Sequence, residues 1–299
     1  MRILLIGSNG FIARHVRSAL RAEGHQVVGA ARRPAPGDIP CDLRRDVTPD
    51  GANRFVEPFD AVIYGAGLLA GSASSLHAVH VAAPSAIAGA CALSRKPLLH
   101  ISILNLEHAP SERYFETKRA GEAAIRQAYP GAIIVRPSVV FGQDSPATRM
   151  ALMQARLPVM AIPRNTGLIV PIHVDDLADL CASLIGTVRA QGVDVDAVGA
   201  AGMTMAEYLQ ALRAGLGYEP ARVIHVPNAL IRAALTAAGS LRVPTLSPAL
   251  LDLTEHWHTG HPQHFLRWMR RDPRPVSEFL VQPVGIPNPE HPDAKPHPV

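Results

Sequence analysis

Short apolar runs alternate with amphipathic stretches through the first half of the chain. Arg2–Ile6 is an apolar run that breaks at a glycine turn, and Phe11–Glu23 then repeats its apolar residues at helical spacing. Gln26–Ala31, Asp60–Tyr64, Pro97–Ile103 and Ala132–Val140 read as further strands, with helices predicted at His77–Leu93 and Ser111–Ala128. Buried strands separated by helices need cover on both faces. The expected fold class is therefore α/β, a doubly wound parallel sheet.

After Gly142 the pattern loosens. Met150–Arg156 reads as a helix, and Pro158, Pro163 and Pro171 then punctuate what is expected to be a loop. Val174–Thr187 is a predicted helix with Asp175 and Asp176 in its first turn, where carboxylates favour the dipole, and Val193–Val198 is a last sheet strand. A helix at Thr204–Leu216, a strand at Arg222–Val226 and an apolar helix at Asn228–Leu241 predict a smaller C-terminal lobe. The apolar helix is expected to pack into that lobe rather than onto a membrane or partner. The division is 1–145 with about 168–200 for the sheet domain, and about 146–167 with 201–281 for the substrate lobe. Past Gln282 the chain holds six prolines among polar residues, so 282–299 is expected to be a tail without a core.

The 299 residues are 47% hydrophobic and 18% charged, which excludes a disordered chain. A net charge of +4, with no Lys/Arg block, gives no footing for nucleic acid. Cys41, Cys91 and Cys181 lie far apart and read as free thiols of a reducing compartment. No leader pattern precedes the glycine turn, and no unbroken apolar stretch of roughly 18 residues predicts a transmembrane span. The expected location is the cytoplasm. His256, His258, His261 and His264 crowd one segment, but no carboxylate or cysteine completes a shell, so no metal is expected.

Two groups of residues carry chemistry. Gly7 suits a tight turn after the first strand, Gly10 lets backbone approach a phosphate, and the helix behind them aims free N–H groups at an anion. At this place in a strand–turn–helix unit the pattern predicts a dinucleotide on a Rossmann-type sheet. The second strand ends at Arg32 and Arg33 with no carboxylate for a ribose 2′-hydroxyl. Two guanidiniums can instead fork onto a 2′-phosphate, with Arg14 a further candidate; the plainer alternative is a solvated arginine pair. NADP(H) is the expected cofactor and NAD(H) the second choice. Tyr114 and Lys118 stand four apart on one helix face, where an ammonium favours phenolate and the tyrosine can exchange a carbinol proton during hydride transfer.

Gly7-x-x-Gly10-Phe-Ile-Ala13, Cys41-Asp42-Leu43, Tyr114-x-x-x-Lys118 with Ala120-Gly121-Glu122, Arg136-Pro-Ser-Val-Val-Phe-Gly142 and Pro171-Ile-His-Val-Asp175-Asp176 occur in this order. Together they make residues 1 to about 280 resemble an extended or atypical short-chain dehydrogenase/reductase of the epimerase/dehydratase-like kind. Within it the chain is most similar to the group of the complex I nucleotide-binding accessory subunit. The resemblance implies that Tyr114 is the general acid/base, that Lys118 holds the nicotinamide ribose and depresses the tyrosine pKa, and that Ser102 hydrogen-bonds the substrate oxygen. It implies cofactor contacts from Gly7, Asn9, Gly10, Phe11, Ile12, Arg32, Arg33, Pro137, Tyr114 and Lys118. Asp42 and Leu43 would meet the adenine, and Gly65, Ala66 and Gly67 would pass over the cofactor. The plainer alternative for Ser102 is a small strand-end residue.

Three positions depart from the pattern. Ala13 replaces a third glycine, and Val139 stands where sugar-modifying members carry an asparagine. His80 replaces an asparagine that orders the active site, and is expected to fill that role or to face solvent. The function expected is an NADP(H)-dependent oxidoreductase acting on a small-molecule carbonyl or alcohol. The alternatives are an accessory protein that holds NADPH, peripherally associated with a redox complex, and a nucleotide-sugar epimerase/dehydratase. The substrate is not named by the sequence, since specificity lies in Gln143–Thr166 and Thr204–Leu253.

Overall fold

Ile3 to Ile6 of the first strand are buried without a break, as a strand covered on both faces must be. This strand, β1 (Arg2–Ile6), is followed by α1 (Phe11–Ala22), β2 (Gln26–Ala31), the short β3 (Ile39–Pro40) and α2 (Ala52–Val56). β4 (Ala61–Tyr64) leads into one continuous helix made of α3 (Ala73–His77), a π turn at Ala78–Ala82 and α4 (Ala83–Ser94). β5 (Leu98–Ile101), α5 (Arg113–Ala128), β6 (Ile133–Pro137), β7 (Val140–Phe141), α6 (Pro146–Ala155), β8 (Val159–Pro163) and β9 (Ile172–His173) follow. Then come α7 (Val174–Ile185), β10 (Asp194–Ala197), α8 (Met205–Gly215), β11 (Arg222–Val226), α9 (Asn228–Gly239) and α10 (Gln263–Met269). The computed structural model describes residues 1–109, 111–164, 166–239 and 260–280, without the side chains of 234–239. The expected tail at 282–299, the end of the apolar helix at Leu241, and His256 and His258 lie outside the described residues.

The main sheet has seven parallel strands in the order β10-β6-β5-β4-β1-β2-β3. The order reverses between β1 and β4, where a doubly wound sheet opens a crevice at the carboxyl ends of its strands. Alternate residues of the strands feed two cores. Ile3 and Leu5 face Val16 and Leu20 of α1, Leu177 and Leu184 of α7, and Phe265 of α10. Leu4 and Ile6 face Val56 of α2, Ile87 and Cys91 of α4, and Ile125 of α5. A third core, with Phe141, Met160, Ile162, Tyr208, Leu212 and Phe279, lies in the smaller lobe against the two-stranded parallel sheet of β8 and β11.

Several sequence expectations change here. The segment expected to be a proline-punctuated loop contains β8, because Met160 and Ile162 point into the lobe core while Val159 and Ala161 face outward. α6 begins at Pro146, four residues before the expected start. The Ser145 hydroxyl accepts from the Thr148 N–H, and Pro146 sits in the first turn, where its missing N–H costs nothing. In the described part of α9 Leu230 is 63% exposed, and none of Ala229, Leu230 or Ile231 joins the lobe core. The continuous helix Ala73–Ser94, interrupted by Pro84 and Gly89, is long and apolar enough to cross a membrane by length and composition. Half of that apolar stretch is buried, and Ile87, Ala88 and Cys91 pack under the sheet, which makes it a core helix here.

The lobe is tied back by charge. Asp176 of α7, fully buried, accepts the Arg274 N–H at 2.7 Å and pairs with the Arg271 guanidinium at 2.8 Å. On the same side His15 of α1 lies between Asp175 (2.8 Å) and Asp144 (3.3 Å), the latter in the loop entering α6. The hydrogen bond to Asp175 holds the His15 pKa above its ordinary 6.5, against a lowering by burial. A raised folded-state pKa contributes stability that is fully present below the unfolded value and lost as pH rises through the folded one. His15→Asn should therefore lower the thermal midpoint most below pH 6.5, with the gap to the parent protein closing at alkaline pH. Melting curves of both proteins across pH test this, and a gap that does not change with pH contradicts it.

Candidate active site

Gly7 closes the turn after β1 with φ of 80°, a left-handed conformation that side chains disfavour. A Cβ there would also lie 2.7 Å from the Ala66 backbone, so Gly7 is required twice over. The Gly10 N–H donates to the Gly7 carbonyl at 2.9 Å, and Gly10 caps α1 with no side chain and no acid in the first turn. Helix geometry leaves the N–H groups of Phe11, Ile12 and Ala13 without intrahelical partners, at the positive end of the dipole. Ala13 is buried and packs beside Gly65, whose N–H donates to the Ile6 carbonyl. The Asn9 amide donates to the Arg33 carbonyl at 2.6 Å, tying the turn to the end of β2. The Ser8 hydroxyl is buried with no protein partner. An uncapped helix end, a glycine cradle and an orphan hydroxyl fit an anionic dinucleotide.

At the far end of this crevice Arg32 and Arg33 are exposed, with no ion pair among the described residues. A carboxylate, Asp38, does stand near β2, but it is buried there: it accepts the Gly29 N–H at 2.8 Å and pairs with Arg17 at 2.6 Å. Two other expectations shift. The Arg14 guanidinium is engaged by Asp144 at 2.6 Å rather than turned toward the ribose end. The Asp42 carboxylate is gripped by Arg44 at 2.6 and 2.9 Å, which pushes its pKa down, while Leu43 is half-buried against the α4-side core.

Tyr114 and Lys118 lie in the first turns of α5. Lys118 is buried, with its ammonium 3.6 Å from where a Cβ on Gly67 would stand. Desolvation lowers its pKa to about 8, partly opposed by Glu122. Burial likewise pushes the Tyr114 phenol up to about 12. The lowering expected from Lys118 has no counterpart in this arrangement, where burial alone gives the direction. Ser102 follows β5, with its N–H donating to the Val135 carbonyl and its hydroxyl buried without a partner. Pro137 ends β6 and is buried, and its carbonyl accepts the Leu104 N–H. Phe11 lies against Gly142, where a Cβ would approach its ring to 2.6 Å.

His80 does not face solvent. It sits in the π turn, buried, and its pKa falls to about 3 through burial and the nearby Lys118 charge. Nε2 accepts the Leu68 N–H at 3.1 Å, which leaves the proton on Nδ1, 2.9 Å from the Thr117 hydroxyl. Thr117 donates in turn to the Tyr114 carbonyl at 2.9 Å. A neutral imidazole in one tautomer thus joins the Gly65–Leu68 loop to the turn that carries Tyr114. Thr117 and the buried His100, whose Nδ1 has no partner, were not singled out in the sequence, because nothing in their spacing distinguishes them from helix and strand filler.

A cleft of about 520 Å³ lies on another face of α5, lined by Arg119, Glu122, Arg126, Arg136, Asp196 and His261. Arg136 is held by Glu122 and Asp194, and Arg119 by the Leu106 and Ala109 carbonyls, so its charges are answered internally. The described residues hold no group of three or more ligands suited to a metal.

The sheet order, glycine turn and Tyr114/Lys118 helix are those of an extended short-chain dehydrogenase/reductase-like, NAD(P)-binding fold. Residues 3–95 match the model of the NAD dependent epimerase/dehydratase family, and residues 105–251 that of the RmlD substrate binding domain. The chain is similar to ceramide reductase of Caulobacter vibrioides, 28% identical over 234 residues that cover 76% of this chain and 74% of that protein. It is also similar to dTDP-4-dehydrorhamnose reductase of Mycolicibacterium smegmatis, 27% identical over 248 residues, 74% of this chain and 71% of that one. Among solved structures, human epimerase family protein SDR39U1 (isoform 2) with NADPH superposes with a TM-score of 0.72 at 21% identity, covering 94% of this chain and 98% of that one.

Proposed function

We propose that this protein is an NADP(H)-dependent oxidoreductase that interconverts a carbonyl and an alcohol on a small, largely apolar molecule. The observation that carries the reading is the half-buried Tyr114 with the buried Lys118 on one helix face, beside the Gly65–Gly67 strand end and the orphan Ser102 hydroxyl. The similarity to ceramide reductase and dTDP-4-dehydrorhamnose reductase supports the reaction type, and the NADPH-bound structural neighbour supports the cofactor. Bound along β1, β2 and β4, a nicotinamide dinucleotide would supply or accept the hydride.

The remaining work falls to the chain. The uncapped start of α1 binds the pyrophosphate, and Arg32 and Arg33 bind a 2′-phosphate. Ser102 donates a hydrogen bond from Oγ to the carbonyl oxygen, and Tyr114 delivers its Oη proton there, or removes it in the oxidative direction. Lys118 stabilises the phenolate left behind and holds the ribose. His80 positions this turn through Thr117 and stays neutral, with its one proton on Nδ1 in the hydrogen bond to Thr117.

Arg32→Ala with Arg33→Ala should weaken NADPH binding by roughly 1–3 kcal/mol and leave NADH binding nearly unchanged, since charged hydrogen bonds to one phosphate are lost. Fluorescence titration with both nucleotides measures this; equal affinity of the parent protein for NADPH and NADH sinks the assignment.

A second reading has one observation in its favour. The glycine turn and the uncapped start of α1 suffice to hold NADPH without any turnover at Tyr114, which suits an accessory of a redox assembly. NADPH binding without turnover on any carbonyl compound would favour it. Epimerase or dehydratase work on a sugar nucleotide is supported by the family match over 3–95, which covers the cofactor half, and by the likeness to epimerase family protein SDR39U1.

A further inference from the structure

The outer face of the lobe sheet is apolar and surrounded by arginines. In the parallel register Val159 lies beside Arg222 and Ala161 beside Ile224, and all four are exposed, while Met160 points into the lobe core. Met153 in the last turn of α6 and Leu157 just past its end are 64% and 52% exposed. The Gln154 amide donates to the Ala161 carbonyl at 2.8 Å, which holds that turn beside β8. Arg156 and Arg164 flank β8 at its two ends, and with Arg222 they form no ion pair among the described residues. Residues 146–164 carry Arg149, Arg156 and Arg164 and no Asp or Glu; residues 220–233 carry Arg222 and Arg232 and likewise none.

We propose that this face docks the protein on the surface of an anionic lipid bilayer, with Met153, Leu157, Val159 and Ile224 entering the interface and Arg156, Arg164 and Arg222 meeting lipid phosphates. Apolar side chains ringed by cations match a headgroup boundary, where each finds its own layer. A nucleic acid would answer the arginines but leave the aliphatic centre of Met153, Leu157, Val159 and Ile224 without a partner, since none of these four is a ring on which a base could stack. A second copy of the chain would set arginine against arginine. This docking stands apart from the catalytic reading, because none of these residues belongs to the Tyr114 site.

The test is flotation of the full chain with vesicles of phosphatidylcholine alone and of phosphatidylcholine with phosphatidylglycerol. Binding is expected to the anionic vesicles only, and to fall as salt is raised. The triple variant R156Q/R164Q/R222Q should bind about a hundredfold more weakly, from roughly fivefold for each arginine near the surface. Val159→Asp with Ile224→Asp should abolish binding, with NADPH titration and circular dichroism showing that the sheet domain remains folded. Absence of binding to anionic vesicles overturns the proposal, as does undiminished binding by the triple variant. A dimer in solution that dissociates in the Val159→Asp/Ile224→Asp variant, without vesicle binding, assigns the face to self-association and overturns it equally.

Discussion

Tyr114→Phe is expected to lower NADPH-dependent carbonyl reduction by about 10²–10⁴-fold while NADPH still binds. The substitution removes one oxygen and keeps the ring, which stacks edge-on against Phe115 at 5.0 Å and His80 at 5.6 Å. Packing around the pyrophosphate turn is untouched, so the loss falls on proton transfer to the carbonyl oxygen. Single-turnover rates beside a fluorescence titration separate the two effects. A variant that retains its rate shows that the proton comes from elsewhere, and Ser102 would be the next group to examine.

Gly121→Ala is expected to destabilise the protein by about 3 kcal/mol, at the upper end of overpacking costs. Gly121 faces the π turn, and a Cβ there would collide with the His80 carbonyl oxygen, a backbone atom that cannot swing aside. Yielding would move either α5 with Tyr114 and Lys118 or the turn that holds His80, so cofactor-dependent turnover should fall as well. Gly89→Ala supplies the control of opposite sign. It sits in α4 with no atom within 4 Å of its would-be Cβ, and a helix-interior glycine gives up roughly 0.5–1 kcal/mol relative to alanine. Urea or thermal unfolding should show Gly89→Ala more stable than the parent and Gly121→Ala less; the same sign for both contradicts the packing described here.

These effects trace which parts of the molecule the residue pattern already contains. β1, β2 and β11 fall on Arg2–Ile6, Gln26–Ala31 and Arg222–Val226 as expected, since each is a short apolar or alternating run closed by turn residues. The helix at Met205–Gly215 carries its own start signal, because Thr204 and Glu207 exchange hydrogen bonds in a capping box. β8 was hidden because prolines at both ends read as loop punctuation, although Pro163 can close a strand that pairs, among the described residues, with β11 alone. β3, two residues long, and α2, five residues long, have too few positions to show a period.

The site divides in the same way. Gly7, Gly10, Tyr114 and Lys118 were legible because their spacing within one strand–turn–helix unit or on one helix face sets the geometry locally. The fates of Arg14 and Asp42 were not. Asp42 is held by Arg44 two residues on, a local pair with no periodic signature, whereas Arg14 is decided by a partner that only the folded chain supplies, Asp144 lying 130 residues away. The same holds for His80, whose burial follows from a π turn pressed against Gly121, and for Tyr114, whose raised pKa reports burial rather than sequence neighbours.

The account stands most directly on turnover of NADPH with a panel of apolar ketones and aldehydes, followed by nucleotide absorbance for the parent protein and Tyr114→Phe in parallel. It predicts oxidation of NADPH in the presence of at least one carbonyl compound, faster than with NADH, and its near-complete loss in Tyr114→Phe with NADPH binding preserved. Tight NADPH binding with no oxidation by any member of the panel, or activity that Tyr114→Phe leaves unchanged, would contradict it.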